Sequence, residues 1–342
     1  MPHYKVEGTD TLTDSRHSDI VDWPTLIHVR FDAEAIDRIR LPDYTGSALR
    51  GLLGHGLRKT VCVTRQKNCQ PCSLLTSCAY PFIFEAQQQS GPIVKGADRP
   101  TPYVLDVAPS NGQTLEPGEC FSFGLTLFGP ACNHLPYILR AFEIGGDLGI
   151  GQGHGKFRIA GLWQQSINTK KWHNIYTPET GRIIALPPAQ LHIPPAPEQL
   201  SIELLTPLRV KHNKRLIHPD TFRPYHLFWA LQRRVIALQH AYGKGDFLPV
   251  DDDQLDVPAT CSLRWHDWTR YSSRQQDYMQ LGGLTGRIQF ASRLPQPLWK
   301  LLWLGQWTHA GKTTSMGLGK FSIETGKLAK TDITTSPIQD CA

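Results

Sequence analysis

Long apolar runs are missing from this chain. No stretch of about 18 consecutive apolar residues occurs, so no helical membrane span is expected. Its opening residues, Met1 to Gly8, also lack the apolar core of a secretory leader. A large excess of charge of one sign is missing as well: 36 Lys+Arg stand against 30 Asp+Glu, a net charge of +6. That mild basic excess permits an RNA or DNA partner without demonstrating one. A P-loop is absent, because Gly311-Lys312-Thr313 would need a glycine at position 306, where Gln306 stands. With no leader and no evident disulfide framework, a cytoplasmic protein with no membrane partner is the simplest expectation.

What is present points to packed globular structure: 342 residues, 40% of them apolar, with nine Trp. That length predicts two domains, each with its own core. Near the C-terminus, an apolar helical run from Leu298 to Trp307 feeds a loop containing Gly311, Gly317 and Gly319. The loop ends in a short strand at Lys320 to Ile323. Glycines let the backbone take positive φ and approach another surface closely, and successive N–H groups in such a loop make an anion-binding concavity. His309, Lys312, Thr313, Thr314, Ser315 and Lys320 add positive charge and hydroxyl donors. That set suits a phosphate backbone.

The same grammar occurs earlier. An apolar helix from Leu135 runs into alternating glycines, with Gly153, His154 and Lys156, and Gly155-Lys156-Phe157-Arg158-Ile159 reappears as Gly319-Lys320-Phe321-Ser322-Ile323. A repeat about half the chain apart is too long for a solenoid unit and predicts two homologous domains in tandem.

The elements in order support that expectation. Residues 25–31 alternate as a first strand, and a helix is expected from Gly46 to about Thr60, with Ser47 as N-cap. Leu49, Leu52, Leu53 and Leu57 fall on one side of it, and His55, Arg58 and Lys59 on the other. Gly54 and Gly56 flank His55; two glycines cost a helix about 2 kcal/mol relative to Ala, so something is expected to approach closely there. Four cysteines follow, Cys62, Cys69, Cys72 and Cys78. In a reducing compartment this spacing suits a structural four-thiolate metal site, zinc or alternatively an iron–sulfur cluster. Residues 119–128 alternate as a strand before the helix and first glycine loop. The first unit therefore reads strand, helix, strands, helix, loop, strand, the ferredoxin-like βαββαβ order.

Prolines from Pro187 to Pro197 mark a linker, dividing the chain into units 1–192 and 193–342. The second unit repeats the order: a strand over 201–210 in which Pro207 implies an edge or a bulge, then a long helix over 224–242 carrying Arg233. Further on, Arg270, Tyr271 and Arg274 interleave cations with an aromatic, the chemistry of stacking on bases and pairing with phosphates. The fold expected is α+β, two tandem ferredoxin-like (RRM-like) domains with a four-cysteine insertion in the first.

Taken together, these pieces resemble the CRISPR-associated precursor-crRNA-processing endoribonucleases of the RAMP superfamily. The resemblance rests on residues 45–55 (with Arg50 and His55), the cysteine cluster running into residues 78–85, the stretches 205–209, 270–275 and 281–283, and the terminal loop 309–320. It implies a pair of ferredoxin-like domains that bind CRISPR repeat RNA and cut it once without a metal. A base deprotonates a ribose 2′-OH, which attacks the adjacent phosphate and leaves a 2′,3′-cyclic phosphate and a 5′-OH. Such chemistry needs a base near neutral pKa, a cation on the phosphorane and an acid for the leaving oxygen. His55 with Arg58 or Lys59 supplies the first two, and Tyr44 is placed to position or donate. His309 with Lys312, or His154, are the alternative bases. A non-catalytic RAMP subunit that holds crRNA beside other effector subunits is the competing expectation.

Overall fold

The computed structural model describes residues 23–85, 99–245, 247–272 and 277–325. In its first part the elements run β1 (Leu26–Ala35), β2 (Ile39–Arg40), α1 (Gly46–Val61), α2 (Ala79–Ile83), β3 (Tyr103–Asp106), β4 (Thr114–Leu115), β5 (Cys120–Phe128), α3 (Leu135–Leu148), β6 (Phe157–Gln165) and β7 (Trp172–Tyr176). Then come β8 (Leu200–Leu208), β9 (Lys211–His212), β10 (Arg215–Leu216), α4 (Pro224–Tyr242), β11 (Ala259–His266), β12 (Thr269–Ser272), β13 (Asp277–Gln280), β14 (Gly283–Phe290), α5 (Gln296–Thr308) and β15 (Phe321–Thr325). The protein is α+β, with antiparallel sheets.

The larger sheet has the order β3-β5-β1-β6-β7 and the second β11-β14-β8-β15. In each, the strand that opens the unit lies between the strand leading into the later helix and the strand following it. Alternation along β1 explains how the first sheet takes its helices. Ile27, Val29, Phe31 and Ala33 point into a core shared with Leu49, Leu53 and Leu57 of α1 and Ile138 and Phe142 of α3. Phe31 stacks on Phe123 with ring centroids 5.0 Å apart and meets Phe142 at 4.9 Å. Each such side chain contributes roughly 1.5–3 kcal/mol of burial. His28, Arg30 and Asp32 alternate onto the other face.

One expectation changes in detail: Ser47 is not the N-cap of α1; Thr45 holds that place and makes no side-chain capping bond. Of the edge or bulge that Pro207 implied, the structure has the second: β8 is central, and its register against β14 shifts between Leu284 and Gly286.

The two cores exchange members. Val104 and Phe128 of the first sheet are buried in the second core, while Trp268, Leu281 and Leu318 from the second half are buried in the first. Tyr44, just ahead of α1, is the pin of this junction. Its ring stacks on Trp268 at 4.2 Å and its hydroxyl donates to the carbonyl of Met316.

Candidate functional site

α1 sorts its residues sharply. Leu49, Leu53 and Leu57 are fully buried, whereas Gly51, His55 and Lys59 form an exposed stripe at one-turn spacing. His55 and Lys59 thus share open solvent. Arg58 does not join them: its guanidinium turns toward the cysteine loop and donates to the carbonyls of Gln66 and Lys67, over the ring of Tyr80. The glycines flanking His55 answer to packing rather than to a ligand. A Cβ on Gly54 would meet the Phe84 ring at 2.3 Å, and one on Gly56 would meet the Ala141 carbonyl of α3 at 2.0 Å. Arg50 is part-buried with its guanidinium 4.3 Å over the same Phe84 ring.

The two glycine loops are used differently. The first, after α3, is tied at its base: Gln152 N–H donates to the Arg40 carbonyl at 3.0 Å, and Lys156 N–H to Asp37 Oδ2 at 3.1 Å. Its tip is open, with Gly153, His154 and Lys156 exposed and nothing within 4 Å of a Cβ on Gly153. The terminal loop instead closes on protein. A Cβ on Gly311 would meet the Arg209 carbonyl at 2.4 Å, one on Gly319 the Ala310 carbonyl at 1.8 Å, and one on Gly317 (φ +90°) the Tyr44 hydroxyl at 2.5 Å and the Leu105 carbonyl at 3.0 Å. His309 and Thr314 are buried, and of this loop only Lys312 is fully exposed, with Gly311, Thr313 and Ser315 half-buried. Both loops reach the N-terminal end of α1. Gly46 abuts the Met316 carbonyl, and the antiparallel contacts Gly56 to Ala141 and Leu52 to Gly145 carry the end of α3 there. His55 lies about 14 Å along the helix from Gly46 at 1.5 Å per residue.

Several expected site residues therefore have structural duties. Tyr44 is buried, and that burial, with the Asp106 carboxylate, pushes its phenol above the ordinary range; its hydroxyl is engaged by the Met316 carbonyl. Lys320 is half-buried, and its ammonium pairs with Asp106. His309 is no base at neutral pH: burial, only partly offset by Asp106, lowers it to about 3. Arg233 is exposed, 5.0 Å over the Trp229 ring. Arg270 and Tyr271 lie on β12, whose backbone pairs with β13, and Arg274 lies outside the described residues.

Sequence reasoning missed two groupings. One is a buried cluster at the junction: His28 Nδ1 is 3.0 Å from Thr126 Oγ1, its Nε2 is 3.7 Å from Asp106 Oδ2, and Lys320, His309 and Arg234 complete the set. Burial would raise Asp106, but Lys320, His28 and His309 outweigh it and hold the carboxyl at about 2. Burial lowers His28 to about 4 against the pull of Asp106. In the unfolded chain both histidines titrate near 6.5, so acid protonates the unfolded state first. Stability is thus expected to be full above about pH 6.5 and to fall as pH drops toward 4 and 3. Thermal unfolding followed from neutral to mildly acid buffer checks this; a flat melting temperature across that window contradicts it.

The other is a basic ribbon. β9 and β10 pair across a turn with Asn213 and Lys214 at positive φ, exposing Lys211, Lys214 and Arg215. At its flank His212 faces Tyr225 and Trp229 at 5.6 and 5.8 Å. The run of cations between Arg209 and Arg215 was its signal in the sequence.

All four cysteines of the 62–78 loop are free thiols and line one cavity of about 20 Å³. Among the described residues, no three His, Cys, Asp or Glu side chains stand as a ready-made ligand set. Among the described residues, too, no helix is long and apolar enough to cross a membrane.

Comparison with known proteins follows these divisions. A family model described as an N-terminal domain, AF_1859_N, matches residues 24–188, and that of the CRISPR-associated endoribonuclease Cas6 matches residues 202–321. Residues 202–321 thus match the Cas6 endoribonuclease family, and the chain is similar to the Cas6-type RAMP proteins. An uncharacterized protein of Archaeoglobus fulgidus is 22% identical over 284 residues, 83% of this chain and 92% of that protein. Among solved structures, the product complex of a Thermus thermophilus Cas6 is similar with a TM-score of 0.54 at 15% identity, over 88% of this chain and all of that one. A partial Cas6-RT-Cas1–Cas2 complex gives a TM-score of 0.51 at 12% identity, over 90% of this chain and 48% of the other. At such identities the likeness is one of fold.

Proposed function

We propose that this chain matures CRISPR RNA: it binds a repeat RNA and cuts it once, without a metal cofactor. Its scaffold is a tandem of ferredoxin-like domains, divided near residue 193, a reading supported by the matching order of four strands in the two sheets, β3-β5-β1-β6 and β11-β14-β8-β15. His55 and Lys59, one turn apart on the exposed face of α1, carry the assignment. His55 takes the proton of a ribose 2′-OH, and the O2′–P bond forms as the P–O5′ bond breaks. Lys59 bears the charge developing on the phosphorane, and the departing 5′ oxygen takes a proton from solvent at this open face. The open tip at Gly153, His154 and Lys156, with Lys312 of the terminal loop, holds the flanking backbone. The product is retained or handed to other effector subunits.

Incubating the protein with its repeat RNA in EDTA and mapping the fragment ends tests this. A single cut with 2′,3′-cyclic phosphate and 5′-OH ends is expected. Tight binding without any shortening would assign the chain to the non-catalytic crRNA-holding subunits instead, and loss of cutting in EDTA would remove the metal-free mechanism.

The basic ribbon extends the binding surface. Replacing Lys211, Lys214 and Arg215 with Ala is expected to flatten the slope of log affinity against log salt by about 2, since single-stranded contacts contribute roughly 0.7 per phosphate. An unchanged slope removes the ribbon from the interface.

A further inference from the structure

The loop between α1 and α2 has almost no interior of its own. From residue 62 to 78 no residue is buried, and every side chain is exposed except Cys62, Cys69, Cys72, Leu75 and Cys78. Four of the five inward-turned residues are therefore thiols. Apolar packing alone does not fix a loop of this length without strands or helices of its own; such segments in small folds are commonly held by disulfides or a metal. Disulfides are not used, because all four thiols are free.

The backbone arranges these thiols from three directions. Cys62 caps the end of α1, with its N–H donating to the Arg58 carbonyl at 2.9 Å, and Cys78 stands at the N-cap of α2. Between them, Cys69 and Cys72 bracket a tight turn closed by Cys72 N–H to Cys69 C=O at 2.9 Å. The cavity they line, about 20 Å³, has room for about one water-sized occupant.

We propose that the 62–78 loop binds one Zn²⁺ through the thiolates of Cys62, Cys69, Cys72 and Cys78, as a closed structural site. The four side chains surround the cavity without converging on one point, so binding rotates them inward and releases their protons, and ordering of the loop is part of the binding free energy. Four sulfur ligands leave no open position for substrate, so the ion has no part in cleavage. Its effect is carried by Arg58, whose hydrogen bonds to Gln66 and Lys67 join the loop to the turn of α1 that follows His55. The site is independent of any RNA chemistry.

Metal analysis of the full chain, purified without chelator or added metal, decides the matter. One zinc per chain is expected, released stoichiometrically by a mercurial that titrates the thiols. Substitution by Co²⁺ should give thiolate-to-metal charge-transfer and tetrahedral d–d bands that Cys72→Ser alters and Cys132→Ser, in a buried cysteine outside the loop, does not. Hydrogen exchange at residues 58–62 should quicken when zinc is removed. Substoichiometric zinc with four freely titrating thiols overturns the proposal, as does iron with sulfide. Because the wild-type protein is itself assayed, a misfolded variant does not rescue the idea.

Discussion

His55→Ala lowers the single-turnover rate of repeat-RNA cleavage by roughly a hundred- to ten-thousand-fold, the range for loss of a positioned general base, while leaving RNA affinity unchanged. The residue is suited to this test because it is exposed on α1 and supports no packing, so its truncation leaves the fold alone. Lys59→Ala should also reduce the rate, with a smaller effect on binding than on chemistry, whereas Arg58→Ala should act through the cysteine loop that its guanidinium holds. A His55→Ala protein that cuts at the wild-type rate ends the assignment; His154 is then the exposed histidine to test next.

Tyr44→Ala is expected to destabilise the protein by about 3–5 kcal/mol, the usual cost of truncating a buried aromatic, and to lower the melting temperature by about 4–7 °C. Three surfaces meet on that ring: Trp268 stacks on it, Met316 accepts from its hydroxyl, and the glycine at 317 leaves room for it. Tyr44→Phe keeps the stacking and loses one hydrogen bond, about 1 kcal/mol. The Phe variant separates two roles for this residue. If the phenol took part in chemistry, Tyr44→Phe would abolish cutting with little change in stability; as a junction residue, it should melt slightly earlier and cut normally.

Local pattern was legible where it depended on periodicity. The leucine stripe of α1, the alternation of β5, the long α4 and the recurrence of the Gly-Lys-Phe-x-Ile segment were all readable because side-chain spacing alone encodes them. Glycine was harder to read. Gly54 and Gly56 did announce a close approach, but the approaching groups are Phe84 and α3, on the sides of the helix away from His55. Likewise the terminal loop has the composition of an anion nest, yet its glycines admit the backbones of Arg209, Ala310 and Leu105. Composition shows that a backbone must be approached and does not name what approaches it.

By itself, then, the sequence determined the α+β class, the likeness to Cas6-type proteins, and the helix that carries an exposed imidazole beside a lysine, because these follow from spacing along one chain. Only the tertiary structure decided which polar groups remain free. It drew Arg58 to the cysteine loop, buried Tyr44 and His309, and matched Lys320 with Asp106, a carboxylate from the other half of the chain. The physical reason is that a side chain's protonation and availability depend on desolvation and on partners distant in sequence, which no local window contains.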